Sequence, residues 1–489
     1  MADPFQKFLG AGQESSALRR PETARRPSCV NGVRITHAED PALHLVYGST
    51  IQDNSVPTGT VNAGDVRVRL PDDQGNCFAL TETTLSKHLL LLGGIGSGKT
   101  NVFNFILEDL IAGQRPEDLI LVFDTKGDFI ERFGHRCAKK VVVGNSPKYR
   151  QATSYWNIFQ ELNNDDFTAK EVAKQLFEGR ESTMQPFFSL AAADLVAKVL
   201  IHFMRVNRSR FGITPSEYQL NNRALVNWFR SATIEKYSQM IDQNPDFASA
   251  KLYFGDPGQG ASQKLTPQAL GVFGYINSMV DDLFDPNSIF AGASQREFAM
   301  SSLVRDRGTD RQKTVVFIEY DLKAGEVLGP IYRLLIDLAL KEALGQNRRR
   351  IGNVYFLIDE FKLLPNLMHI DDALNFGRSL GVRVVAGLQS IDQLYANYGE
   401  DRGKTIAAGF MSCFCFHTPD ASSRRYITNR FGENFGQLVF HANGQPVSSP
   451  KEGHTVEDWD VLSFPVGMAA VDLVGEKPFL YRFAEYNRA

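Results

Sequence analysis

The stretch LLGGIGSGKTN, residues 91–101, decides the fold. It closes the apolar run KHLLLL at 87–92 and opens NVFNFILEDLIAGQ at 101–114, whose apolar residues recur at helical spacing as far as Gly113. A buried strand, a glycine-rich turn and an amphipathic helix follow one another, and the turn matches G-x-x-x-x-G-K-[ST]. Glycines let successive backbone N–H groups curl inward around phosphate oxygens, and the helix adds the partial positive charge of its N-terminus. Gly93, Gly94, Gly96, Ser97, Gly98, Lys99, Thr100 and Asn101 are therefore the expected nucleotide contacts. Lys99 is expected at the β and γ phosphates, and the Thr100 hydroxyl on Mg²⁺. A glycine-rich turn that fits the pattern by chance is the bland alternative, and the strand and helix in register argue against it.

Outward from this loop the chain alternates strand and helix. DLILVFD (118–124), KKVVVG (139–144), KTVVFIEYD (313–321), NVYFLIDE (353–360), VRVVAGLQ (382–389) and GFMSCFCFHT (409–418) read as buried strands. DVRVRL (65–70) alternates as a half-buried one, and GMAAVDLV with KPFLYRF near the end reads as a hairpin. This is the pattern of an α/β fold with a central, mainly parallel sheet. Between about 156 and 295 clear strands are missing. TAKEVAKQLFEG, SLAAADLVAKVLIHFMRV and NRALVNWFRSATIEKYSQMI read as helices, hence an inserted all-α domain. The expected division is a flexible tail over 1–44, an ATPase domain over 45–155 and 296–489, and the insertion over 156–295.

The bulk numbers exclude several classes. At 489 residues the chain exceeds one ordinary core. A formal charge of −3 supplies no overall basic field, so nucleic-acid binding would need a local basic surface. The five cysteines, Cys29, Cys77, Cys137, Cys413 and Cys415, are scattered and odd in number, which suits a reducing compartment. CFC at 413–415 reads as a buried strand before it reads as a metal site. No run reaches the roughly 18 to 20 apolar residues of a membrane span. The best, 189–204, carries Asp194, Lys198 and His202 and reads as a core helix. Arg19, Arg20, Arg25 and Arg26 have no apolar segment behind them, so no signal peptide is expected.

A phosphate loop needs a carboxylate for its metal at the end of a neighbouring strand. VYFLIDE, 354–360, supplies Asp359 to hold Mg²⁺ through its water shell and Glu360 to polarise an attacking water. Asp124 ends LILVFD before Lys126-Gly127, and is either part of that metal shell or a structural turn. Gln389 ends VRVVAGLQ, where a polar group points into the ligand crevice and could sense the γ-phosphate.

These residues resemble the coupling proteins of conjugative type IV secretion systems, within the FtsK/HerA group of ring-shaped DNA-pumping ATPases. The resemblance spans roughly residues 85 to 435. It rests on GGIGSGKTN, VFDTKGDF (122–129), YWNIF (155–159), FLIDEFKLLPNL (356–367), GRSLGVRVVAGLQSIDQL (377–394) and FHTPDASSRRYITNRFG (416–432). It implies a RecA-like phosphate-loop NTPase using ATP and Mg²⁺, with catalytic Lys99 and Glu360, Arg378 as an arginine finger acting on a neighbouring subunit, and Gln389 as the sensor. It also implies a homohexamer around single- or double-stranded DNA, and partners among type IV secretion or relaxosome proteins. The family is usually anchored by N-terminal transmembrane helices. None is read here, so the expected location is cytoplasmic, with recruitment to the inner membrane by a partner. A motor of the same fold that moves protein substrates, a DNA-processing or defence ATPase, and an ATP-binding switch with feeble turnover are the alternatives. Arg205, Arg208 and Arg210, Arg348, Arg349 and Arg350, and Arg424, Arg425 and Arg430 are candidate DNA contacts, although such runs are more often a solvated surface.

Overall fold

A computed structural model describes residues 29–30, 33–34, 38–51, 63–180, 186–209, 215–254, 266–292, 296–345, 352–442 and 445–487. Most of the expected tail over 1–44, together with Arg210, Arg348, Arg349 and Arg350, lies outside the described residues. Nine short runs supply the strands of the α/β layers: β1 (Leu89–Leu92), β2 (Leu119–Asp124), β3 (Lys139–Val143), β4 (Thr314–Glu319), β5 (Val354–Ile358), β6 (Val382–Leu388), β7 (Ser412–Phe416), β8 (Met468–Asp472) and β9 (Phe479–Arg482). β1, β2, β4, β5, β6 and β7 are buried at every residue. That is why their sequences read as continuous apolar runs without alternation.

The chain packs as two compact units. The first comprises residues 1–115, 353–366 and 370–489, and its strand order is β9-β8-β7-β1-β6-β5. β7, β1, β6 and β5 run parallel, while β8 and β9 are antiparallel and form the expected terminal hairpin. β1 lies between β6 and β7, with Leu92 paired to Leu388 on one side and Cys415 on the other. The loop after Leu92 therefore emerges at the carboxyl edge of the sheet, where ligands of open α/β sheets bind.

His88, just before β1, is buried in left-handed backbone (φ 59°), and its Nδ1 accepts the Val384 amide at 3.1 Å. Burial, then the charge of Arg383, lowers its pKa from 6.5 to about 3. The folded unit thus holds the neutral ring. The resulting stabilisation is complete above pH 6.5 and is lost as pH falls from there toward 3. The urea midpoint of the wild-type chain is expected to fall across that interval, and His88→Asn to flatten the dependence.

The second unit comprises residues 116–352 and 367–369. Its strands run parallel in the order β2-β4-β3. Between Ile158 and Ala291 every regular element among the described residues is helical. Tyr155–Trp156 pairs in parallel with Glu297–Phe298, so the chain enters and leaves this helical stretch side by side. Buried Glu161 fastens the pair, accepting from Trp156 Nε1 at 2.9 Å and from the amides of Met300 and Ser301 at 2.6 and 2.7 Å. The two units divide at Arg115/Pro116 and Gly352/Asn353, whereas the change of element type falls near 156 and 296. The first division follows packing, the second sequence character.

The helix Pro186–Ser209 is long and apolar enough to cross a bilayer by composition, and 72% of its apolar window is buried inside the unit, as a core helix requires. One helical expectation needs correction. The stretch 222–241 forms two helices, Asn222–Arg230 and Ile234–Asp242. The Thr233 hydroxyl accepts the Lys236 amide and caps a new start, which periodicity alone did not separate.

Candidate nucleotide site

The loop between β1 and the helix Lys99–Ala112 is built from glycines for distinct reasons. A Cβ on Gly93 would stand 2.6 Å from the Phe416 Cβ, so the wall formed by β7 admits nothing larger there. Gly96 and Gly98 take left-handed backbone, with φ 74° and 112°. The Gly93 amide donates to Leu388 O at 3.1 Å and the Gly94 amide to His417 O at 2.8 Å, which fixes the loop to β6 and to the segment after β7. Past that point the amides turn inward. Among the described residues no acceptor meets the amides of Gly96, Gly98, Lys99 and Thr100. Buried Ser97 carries an Oγ without a hydrogen-bond partner. Unfilled donors at a helix N-terminus, beside a buried hydroxyl, form a cradle of the right chemistry for a polyphosphate.

Three strand ends bring the reactive side chains to this cradle. Lys99, buried, donates from Nζ to the carbonyls of Gly93 and Gly94 at 2.5 and 2.9 Å. Burial pushes its ammonium below the usual lysine value, against the pull of Glu360 and Asp359. Asp359, directly after β5, accepts from the Thr100 hydroxyl at 3.2 Å. A hydroxyl and a carboxylate held this close fit the ligand set of a small divalent cation, which prefers hard oxygens and retains waters. Glu360 accepts from Gln389 Nε2 at 2.5 Å, and Gln389 is the first residue past β6. Lys99, Thr100, Asp359, Glu360 and Gln389 are thus one cluster within the first unit.

The remaining sequence candidates divide. Arg378 lies on the short turn Gly377–Leu380 with its side chain exposed. Asn101 turns its amide away from the cradle. Its Nδ2 donates to Ala484 O and its Oδ1 accepts the Tyr486 amide, both at 2.7 Å, so it clasps the C-terminal segment to the helix. Asp124, in the second unit, is a turn residue. Its carboxylate accepts the amides of Lys126, Gly127, Phe129 and Ile130 at 2.9–3.2 Å. Burial pushes its pKa upward while those amides pull it down. Asp124→Ala strands these donors and is expected to destabilise the chain by about 2 kcal/mol, read from urea unfolding.

Several candidate DNA contacts are already engaged. Arg205 is paired with Asp246 and Asp166, Arg208 with Asp166, Arg424 with Asp458 and Arg430 with Asp472. Arg425 is exposed. Cys413 and Cys415 are buried in β7 with Sγ atoms 3.4 Å apart. Residues absent from the sequence reading also shape the loop. The Gly467 amide donates to Ser97 O at 3.0 Å, and its Cα limits the space beside Gly98. Nothing local to either stretch announces a contact across some 370 residues.

The parallel sheet, the glycine cradle and the paired carboxylates at a strand end define a RecA-like phosphate-loop protein. Residues 77–256 and 287–437 match the family described as type IV secretion-system coupling protein DNA-binding domain, and the chain belongs to that family. Coupling protein TraD of Escherichia coli (strain K12) is 22% identical over 350 residues, covering 71% of this chain and 44% of TraD. Conjugal transfer protein TraG of Agrobacterium fabrum is 28% identical over 174 residues, covering 35% of this chain and 25% of TraG. The chain therefore spans less than half the length of these curated relatives. Among solved structures, the unbound monoclinic form of the bacterial conjugative coupling protein TrwBdeltaN70 superposes with a TM-score of 0.68 at 18% identity, over 94% of this chain and 96% of that one. TrwB in complex with ADP and Mg²⁺ gives 0.66 at 19% identity, with the same coverage. These likenesses establish a shared fold.

Proposed function

We propose that the chain is the motor part of a type IV secretion coupling protein, hydrolysing ATP as a ring of six copies to move DNA. The observation that carries the hydrolase reading is the meeting of Thr100 with Asp359 and of Glu360 with Gln389 around the cradle. The DNA-binding family supports the cargo. TrwB structures with ADP and Mg²⁺ and with non-hydrolysable ATP and GTP analogues support the nucleotide.

Each residue has a task in this reading. The amides of Gly96, Gly98, Lys99 and Thr100 hold phosphate oxygens, and Lys99 exchanges the Gly93 and Gly94 carbonyls for the β and γ phosphates. Thr100 and Asp359 hold Mg²⁺, which supplies counter-charge to the phosphates when bound. Glu360 takes the proton of the attacking water. Gln389 holds Glu360 in place and is positioned to respond when the γ-phosphate departs. Arg378, exposed on its turn, reaches the site of an adjoining copy. The work takes place at the cytoplasmic face of a membrane, where secretion or relaxosome proteins recruit the ring.

The test is steady-state ATP hydrolysis with and without single- and double-stranded DNA. Stimulation by DNA is expected, falling steeply with salt because the contacts are to phosphate. Turnover indifferent to DNA under all conditions would sink the DNA-motor reading and point to protein cargo.

A further inference from the structure

The Arg378 side chain is free to reach outward, yet the backbone beneath it is held from behind. Arg383 is an arginine inside β6, 7% exposed, in a strand otherwise made of apolar residues and glycine. Its guanidinium is split between two directions. Nη1 donates to Arg378 O at 3.0 Å and to Val382 O at 2.9 Å, while Nε donates to Glu82 Oε1 at 2.7 Å. Glu82 is itself saturated. It accepts from Arg67 Nε at 2.9 Å, Asn353 Nδ2 at 2.9 Å and the Tyr355 hydroxyl at 3.0 Å.

The turn has little other freedom. Val382 Cβ lies 2.8 Å from where a Gly377 Cβ would stand, and Gly381 closes the turn in left-handed backbone at φ 86°. Burying a guanidinium is costly unless every donor direction is used, and an apolar residue would pack the strand at least as well. The charge is therefore retained for something packing does not provide. Only a planar fork can hold a carboxylate with one edge and a backbone carbonyl with another; a lysine ammonium cannot span both with the same geometry. His88, neutral alongside, adds no competing cation.

We propose that Arg383, anchored by Glu82, is a positioning residue that sets the reach of Arg378 into the adjoining copy's site. The inference rests on the reading of Arg378 as a finger that acts in trans. Arg383 touches no nucleotide. It fixes the turn from which the finger extends, and a finger displaced by about 1 Å loses on the order of a hundredfold in its effect.

The experiment is complementation between two inactive full-length variants. Arg378→Ala keeps the water-activating carboxylate and lacks the finger. Glu360→Gln keeps the finger and lacks the carboxylate. Mixed, they are expected to recover turnover, because a Glu360→Gln copy lends its finger to an Arg378→Ala copy. Adding Arg383→Lys to the Glu360→Gln donor is expected to cut that recovery by about ten- to a hundredfold. Nucleotide binding by the donor should be unchanged. Placed instead in the Arg378→Ala recipient, which lends no finger, Arg383→Lys should leave the recovery unchanged, whereas general loosening of the fold would lower it there as well. If Arg383→Lys fails to fold, shown by lost nucleotide binding, Glu82→Gln in the donor carries the same test. Full recovery with donors bearing Arg383→Lys or Glu82→Gln overturns the inference. Failure of the parent pair to complement overturns the finger reading itself, and this inference with it.

Discussion

Arg378→Ala is expected to lower turnover by about 10³- to 10⁵-fold, the range an arginine finger supplies to phosphoryl transfer. Nucleotide affinity of the single copy should hardly change, because the Arg378 side chain is exposed on its own turn and the cradle is built from other strand ends. The signature lies in mixing. Titrated into wild-type protein, the variant should reduce activity more than in proportion to its share, since each altered copy disables the site of a neighbour. A strictly proportional decline would show that each copy works alone and would remove Arg378 from the catalytic set.

Glu360→Gln tests the other half of the chemistry. A general base in place contributes about 10²- to 10⁴-fold, so hydrolysis should fall by that much. The amide keeps the size of the carboxylate and can still bond Gln389, so the loop and strands are undisturbed. Equilibrium binding of a fluorescent ATP analogue should remain near wild type. Retained hydrolysis would place the water-activating group elsewhere. Lost binding would show that Glu360 shapes the cradle and does not only act on water.

The parts legible in the sequence are those whose cause is local. Leu89 to Ala112 is one strand, one turn and one helix in succession, and the glycines declare the backbone angles they permit. Asp359 and Glu360 follow a five-residue apolar strand, the signal that identified them. The same signal at Asp124 was ambiguous for a physical reason. LILVFD ends like VYFLID, and the difference lies in Gly127, whose left-handed backbone (φ 77°) lets the following amides fold back onto the carboxylate. Asn101 adjoins Thr100 in the glycine motif, but the partners of its side chain sit more than 380 residues away and leave no local signal. The Glu82 cluster gathers Arg67, Asn353, Tyr355 and Arg383 from three separate segments, each unremarked by itself.

The Asn101 clasp has a consequence for the order in which the protein is made. The first turn of the loop helix leaves the ribosome well before Ala484 and Tyr486, which grip it and come 383 and 385 residues later. Gly467, which braces Ser97, is likewise a late arrival. A nascent chain can therefore form the second compact unit while its phosphate loop still lacks these late supports. The growing polypeptide seats this loop fully only once residues 467–486 have been made, and a fragment cut short before β8 presents the glycine motif without the frame that seats it.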